Sequence, residues 1–347
     1  MSIFRSYTPA FKDNCGRVMN NSIAEMRMIT IGNTRQWVLI RGENRNNPVL
    51  LILHGGPGSP ESCLFRYYNH SLEKNFVVVN WDQRACGKSY CKATANEPLN
   101  IKMFVEDTLE LTKALISEFH KEKIFILGHS WGTFIGLLAA SRHPELYYAY
   151  VGTGQVSNMP EGELVSYDFA LNAAVKSHNQ KAIQELEKIG KPKNGVYECG
   201  SVGTKTERKW LSYFGGSVYG KKSFSSLMTK FLTSKEYNIV DIIHMLKGMN
   251  TPARTRMSQG EFLKTDLTKI VNSLDIPVYF FLGRHDFQIP SKVAEKYFQV
   301  LKAPLKKFVW FENSAHTPCF EEPEKFNDLL VNMVLADSIK KANPSAM

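Results

Sequence analysis

What the chain lacks narrows its chemistry before any motif is considered. Its six cysteines (Cys15, Cys63, Cys86, Cys91, Cys199 and Cys319) form no CxxC pair and show no metal-finger spacing. That pattern speaks against a zinc module or a disulfide framework and fits a reduced compartment. No run of about twenty apolar residues occurs, as a spanning helix would need, and the leader "MSIFRSYTPAFKDNCGRVMNN" has no continuous apolar core of the signal-peptide kind. A soluble, cytoplasmic protein without membrane contact is expected. The formal net charge is +10, yet the basic residues lie scattered among acids in no Lys/Arg block, so no nucleic-acid partner is expected. Internal repeats and low-complexity segments are absent as well.

What is present is enough apolar material for a substantial core: 43% of the 347 residues are hydrophobic. "AEMRMITIG" and "TRQWVLIRG" alternate apolar and polar residues around "GNT", which predicts a hairpin. "VLLILHG", "FVVVNWD" and "IFILGHS" are short and continuously apolar, as strands covered on both faces must be. Between them "NIKMFVEDTLELTKALISEFH" brings Phe104, Leu111, Leu115 and Phe119 round at helical spacing, with Asn100 as N-cap. Strand and helix in alternation predict a doubly wound, mostly parallel sheet. "LYYAYVGTG", "IPVYFFLGRHD" and "LKKFVWFENSAH" continue it, and a terminal helix is expected from about Pro323 to Ala342. The gap before "IPVYFFLGRHD" is patterned as helices with Gly-rich breaks, so 156–266 is expected to form a helical cap, with 1–155 and 267–347 as the catalytic domain.

Chemistry concentrates at the strand ends. Gly128-His129-Ser130-Trp131-Gly132 follows a strand and precedes a helix-forming run, the setting of a nucleophile elbow, where flanking glycines relieve a crowded turn. As an alternative, Ser130 simply caps the following helix. "LILHGGPGSP" ends a strand in His54 and a loop of Gly55, Gly56, Pro57 and Gly58, whose N–H groups, with that of Trp131, can form an oxyanion hole. Asp286 ends the strand of "FLGRHDFQIP", and His316 lies in the polar loop "FENSAHTP". His54, His129 and His285 also lie near the proposed site, but only His316 comes last in chain order. The order Ser130, Asp286, His316 is that of triads on the α/β-hydrolase fold, here an eight-stranded sheet flanked by helices with an inserted cap. No metal or cofactor is required.

"HGGPG", "WDQRACGKS", "GHSWG", "GRHD" and "SAHTP", spread over residues 54 to 318, resemble the proline iminopeptidase (prolyl aminopeptidase) family of α/β hydrolases. The resemblance implies a serine peptidase that releases an N-terminal residue, usually proline, from short peptides. Ser130 would be its nucleophile, His316 its base, Asp286 the orienting acid, and Trp131 with Gly56 or Gly55 the oxyanion donors. It also implies that Asp82 and Arg84 brace the site, and Ala85 stands where the family has glycine. The family's Trp-Glu pair for the substrate ammonium is missing, and basic residues outnumber acidic ones in the cap. Glu161, Glu163, Glu198, Glu207 and Glu236 are the candidate ammonium ligands, and Trp210, Tyr213, Phe214, Tyr219 and Phe224 the candidate apolar lining. Two other readings stay open: a carboxylesterase or lactonase of small substrates, and a slow-turnover ligand sensor on the same fold.

Overall fold

A computed structural model describes residues 5–338. Eight strands form one sheet: β1 (Ile23–Ile31), β2 (Thr34–Gly42), β3 (Val49–Leu53), β4 (Val77–Asp82), β5 (Ile124–His129), β6 (Tyr147–Thr153), β7 (Val278–Gly283) and β8 (Lys306–Phe311). Their spatial order is β1-β2-β4-β3-β5-β6-β7-β8. β1 and β2 are the predicted hairpin, in register from Ile31↔Thr34 to Ile23↔Gly42. Gly32 and Asn33 turn it with φ of 55° and 58°, the two positive values that a tight hairpin of natural twist requires. β2 meets β4 antiparallel, and every pairing from β4 through β8 is parallel.

The continuous apolar strands are explained by burial on both faces. In β3 and β5 alternate residues enter opposite cores, with Leu51, Leu53, Ile124 and Ile126 in one and Leu50, Ile52, Phe125 and Leu127 in the other. The helix Ile101–Glu118 covers the first of these faces through Phe104, Leu111 and Leu115, and Asn100 caps it by accepting from the Met103 N–H at 3.0 Å. β8 is the edge strand and carries Lys306 and Lys307 on its half-buried surface, a common guard against edge-to-edge pairing.

Six helices lie between β6 and β7: Met159–Lys176, Gln180–Ile189, Ser201–Tyr213, Ser225–Thr233, Ile239–Met249 and Pro252–Gly260. At the C-terminal end the expected helix is continuous from Pro323 to residue 338 and carries one irregularity. It runs Pro323–Leu329 and then widens into a π-helical segment, Leu330–Leu335, while the part expected beyond residue 338 lies outside the described residues. Among the described residues no helix is long and apolar enough to cross a membrane.

Candidate active site

Ser130 sits between β5 and the helix Trp131–Arg142 with φ 53° and ψ −121°, a conformation few non-glycine residues adopt. Its N–H donates to the Thr153 carbonyl of β6 (3.0 Å), and its carbonyl accepts from the Thr133 N–H (2.8 Å) and hydroxyl (2.6 Å). The side chain makes no capping bond, which removes helix capping as its role. Both neighbouring glycines are obligatory. A Cβ on Gly128 would lie 2.5 Å from the Gly132 carbonyl oxygen, and one on Gly132 only 1.9 Å from that of Leu53.

Asp286 and His316 come together from the ends of β7 and β8. Asp286 Oδ2 is 2.9 Å from His316 Nδ1, while Oδ1 accepts from the N–H groups of Gln288 (2.8 Å) and Ile289 (2.9 Å). Since the carboxylate can only accept, Nδ1 carries the proton and Nε2 presents its lone pair. That Nε2 is buried without a protein partner, and the ring shares a cavity wall with Ser130. Two features hold the imidazole that sequence reading had not singled out. Gly154, at φ 57°, leaves it room, because a Cβ there would approach His316 Cε1 to 2.8 Å. Glu321 grips the loop by accepting from the N–H groups of Ala315 (3.1 Å) and Thr317 (2.9 Å).

The glycine loop after β3 lies against this pair. Gly56 has φ 114° and no space for a side chain, since a Cβ would meet Gly58 N at 2.5 Å. The Gly55 N–H already donates to Glu61 Oε2 (3.3 Å). The other Glu61 oxygen is 2.7 Å from His129 Nδ1, and His129 Nε2 is 3.0 Å from the His316 carbonyl. Both ring nitrogens of His129 therefore face acceptors. Burial pulls this imidazole down, but the charge and hydrogen bond of Glu61 outweigh burial, and the net shift is upward, in favour of the cation.

His54 is the opposite case. Its Nε2 accepts from the Gln83 N–H (3.1 Å) and its Nδ1 donates to the Gly55 carbonyl (2.8 Å), which fixes a neutral ring. Burial drives it down to about 4. Below pH ~6.5 the unfolded chain then takes up a proton that the folded one refuses, so stability falls as pH drops from there to about 4. The loss is about 3 kcal/mol from this residue, at ~1.4 kcal/mol per unit. Denaturant midpoints measured across that window should drop steeply in the wild type and less steeply in His54→Asn; parallel curves would refute the assignment.

The bracing residues are placed as follows. Asp82 is fully buried, and burial raises it to about 6 even though it accepts from the Tyr237 hydroxyl, the Lys88 N–H (2.9 Å) and the Ser62 hydroxyl (3.1 Å). Arg84 makes a bidentate pair with Asp107, both bonds 2.7 Å. Ala85 takes φ 58°, the left-handed geometry that glycine would adopt at no steric cost.

Two connected lobes open above Ser130. One, of about 510 Å³, is lined by Gly56, Ser217, Arg254, Gln259 and Phe262 among others. The other, of about 260 Å³, has an apolar side made by Leu64, Leu227, Phe231 and Phe320, with Glu61, His129 and His316 also in its wall. Of the candidate apolar residues only Phe224 reaches these lobes, and it faces both. The remaining candidates are engaged elsewhere. Glu161 pairs with Lys296 (2.6 Å), Glu198 is exposed, and Glu236 accepts from Arg66 (3.2 Å) and Thr8 (3.2 Å). Glu207, with Glu163, is buried against the Arg208 guanidinium; burial pushes both carboxyls up, and Arg208 counteracts it. Trp210 donates to Glu185 (2.8 Å), stacks with Phe214 and meets the exposed Tyr213 edge to face, and Tyr219 stacks on His285.

A family model described as alpha/beta hydrolase fold matches residues 48–175. The probable aminopeptidase YbaC of Bacillus subtilis (strain 168) is 33% identical over 316 residues, covering 89% of this chain and 96% of that protein. A proline iminopeptidase of Heyndrickxia coagulans is 29% identical over 296 residues, 82% of this chain and 89% of its own. The crystal structure of proline iminopeptidase from Mycobacterium smegmatis superposes with a TM-score of 0.64 at 17% identity, over 91% of this chain and all (100%) of that one, a likeness of fold. With an eight-stranded, mostly parallel sheet and a relative named as a probable aminopeptidase aligned over nearly its whole length, this chain belongs to the α/β hydrolases and, within them, to the family of the proline iminopeptidases.

Proposed function

We propose that this hydrolase works by serine catalysis and releases an N-terminal residue, proline foremost, from short peptides through an acyl-enzyme. The observation that carries the reading is the buried Asp286–His316 pair whose open Nε2 shares a cavity with Ser130 on its strained turn. His316 takes the Ser130 proton as the oxygen attacks the carbonyl carbon, and Asp286 steadies the resulting imidazolium. The oxyanion is received by the N–H of Trp131, at the first turn of its helix where no intrahelical acceptor exists, and by that of Gly56. Gly56 is preferred to Gly55 because the Gly55 N–H is already bonded to Glu61. His316 then gives its proton to the leaving amine, and water, activated by the same ring, cleaves the acyl-enzyme. The helices of 156–266 serve as the cap that closes over the substrate.

A small-ester hydrolase is the second reading, favoured by one feature: no aspartate or glutamate lines the larger lobe, so an α-ammonium meets a carboxylate there only if Arg208 releases Glu163 or Glu207. A panel of aminoacyl-naphthylamides, proline included, run beside short p-nitrophenyl esters decides between them. The peptidase reading expects kcat/KM for the prolyl amide to exceed that of every other aminoacyl amide; turnover of esters alone transfers the case to the esterase.

A further inference from the structure

Of the buried arginines among the described residues, Arg41 pairs with Glu73 (3.1 Å) and Arg84 with Asp107 (2.7 Å), and the partly buried Arg208 is likewise paired with Glu163 and Glu207; one buried arginine is the exception. Arg254, on the helix Pro252–Gly260, is 1% exposed and has no carboxylate within ion-pair distance among the described residues. Main-chain oxygens are its only hydrogen-bond acceptors among the described residues, and the Phe104 ring lies 5.7 Å from its Cζ. Its Nε donates to the Gly248 carbonyl (2.9 Å), and its Nη2 to those of Arg84 (3.0 Å) and Ala85 (3.3 Å). Gly248 lies in the last turn of Ile239–Met249, where the helix dipole supplies partial negative charge. Nη1 is buried with no acceptor at all. Burial accordingly pulls the guanidinium below its usual range, opposed only by the Cys86 thiol and by no carboxylate.

This cation belongs to the wall of the larger lobe, which it shares with Ser130 and Gly56. The glycine loop is shaped around it, because a Cβ on Gly58 would come within 2.6 Å of Arg254 Nε. The other charged residues of that lobe, Lys205, Arg208 and Lys209, are cationic too. Arg208 is neutralised by its two glutamates and Lys209 by Glu185 (2.6 Å), which leaves Arg254 in the interior and Lys205 at the exposed rim. A desolvated guanidinium whose Nη1 keeps its N–H groups without an acceptor is a strong receptor for a carboxylate oxygen, as charge-assisted hydrogen bonds are the strong ones.

Building on the serine-hydrolase reading above, we propose that Arg254 binds a free carboxylate of the substrate, so that the preferred substrates are small carboxylate-ended acyl compounds, dipeptides above all, with an apolar group seated in the lobe of Leu64, Leu227, Phe231 and Phe320. Arg254 is then a specificity residue. It sets the length of peptide accepted, because in a longer chain the carboxylate lies beyond its reach.

The test uses the intact protein and a fluorophosphonate that labels the active serine. N-Acetylphenylalanine should protect Ser130 from labelling at concentrations about 10- to 100-fold lower than N-acetylphenylalaninamide, the span of a hydrogen bond to a charged group. The same preference should separate kcat/KM for prolyl-phenylalanine from that for its C-terminal amide. Arg254→Gln should bring the acid-to-amide ratio toward one. A purely structural arginine would weaken both ligands together and leave the ratio where it was. Wild-type protein that is labelled but shows no preference for the acid overturns the carboxylate site while the hydrolase reading survives. Absence of labelling overturns both.

Discussion

Ser130→Ala should lose hydrolytic turnover by a factor on the order of 10⁵ to 10⁶ while keeping its fold, as triad serines do elsewhere. Alanine retains the Cβ that the elbow already accommodates at φ 53°, and the serine hydroxyl makes no capping bond, so nothing structural leaves with the oxygen. His316→Ala should cost a similar factor, and the double variant little more than either alone, because each group is useless without the other. Steady-state rates on the best substrate of the panel, with circular dichroism as the control for folding, provide the measurement. A Ser130→Ala protein keeping a tenth of its activity would assign the chemistry to another group, and strictly multiplicative losses would deny that the two side chains act as a unit.

The largest expected effect on stability comes from Gly132→Ala. The added methyl would stand 1.9 Å from the Leu53 oxygen, 2.6 Å from its carbonyl carbon and 3.0 Å from the His54 oxygen, all main-chain atoms of the central strand and its loop. Relief requires the helix Trp131–Arg142 to move off β3, which separates Ser130 from the glycine loop. The expected cost is at least about 3 kcal/mol, at the upper end for overpacking, or roughly a 4 °C fall in Tm for a chain of this size. Gly260→Ala is the matched control: its Cβ would meet nothing within 4 Å, so the change should stay within about 1 kcal/mol. Equal melting temperatures for the two variants would contradict the packing described for the elbow.

Much of this was legible in the sequence because it is encoded locally. Continuous apolar runs marked the inner strands, an N-cap marked the helix after Asn100, and glycines spaced around Ser130 and after His54 marked turns that exclude side chains. What escaped notice depends on pairs far apart in the chain. Glu61 joins the Gly55 N–H to His129, 68 residues on, and Gly154 matters only because His316 folds against it. Residue type alone proposed the cap glutamates as ammonium ligands, yet their surroundings are set by charges that no local pattern reveals: Arg208 occupies Glu163 and Glu207, and Arg66 occupies Glu236. Arg254 reads as one more basic residue until its missing counter-ion is seen.

The strand order has a consequence during synthesis. β3 and β5, which carry the glycine loop and Ser130, are neighbours and are made early, whereas His316 follows β8 at the far edge. On the proposed mechanism, a nascent chain that has emerged only as far as Asp286 holds the hydroxyl and the acid but lacks the imidazole that takes the proton. On that mechanism hydrolysis is expected to begin only when the last strand has docked beside β7 and brought His316 to the site.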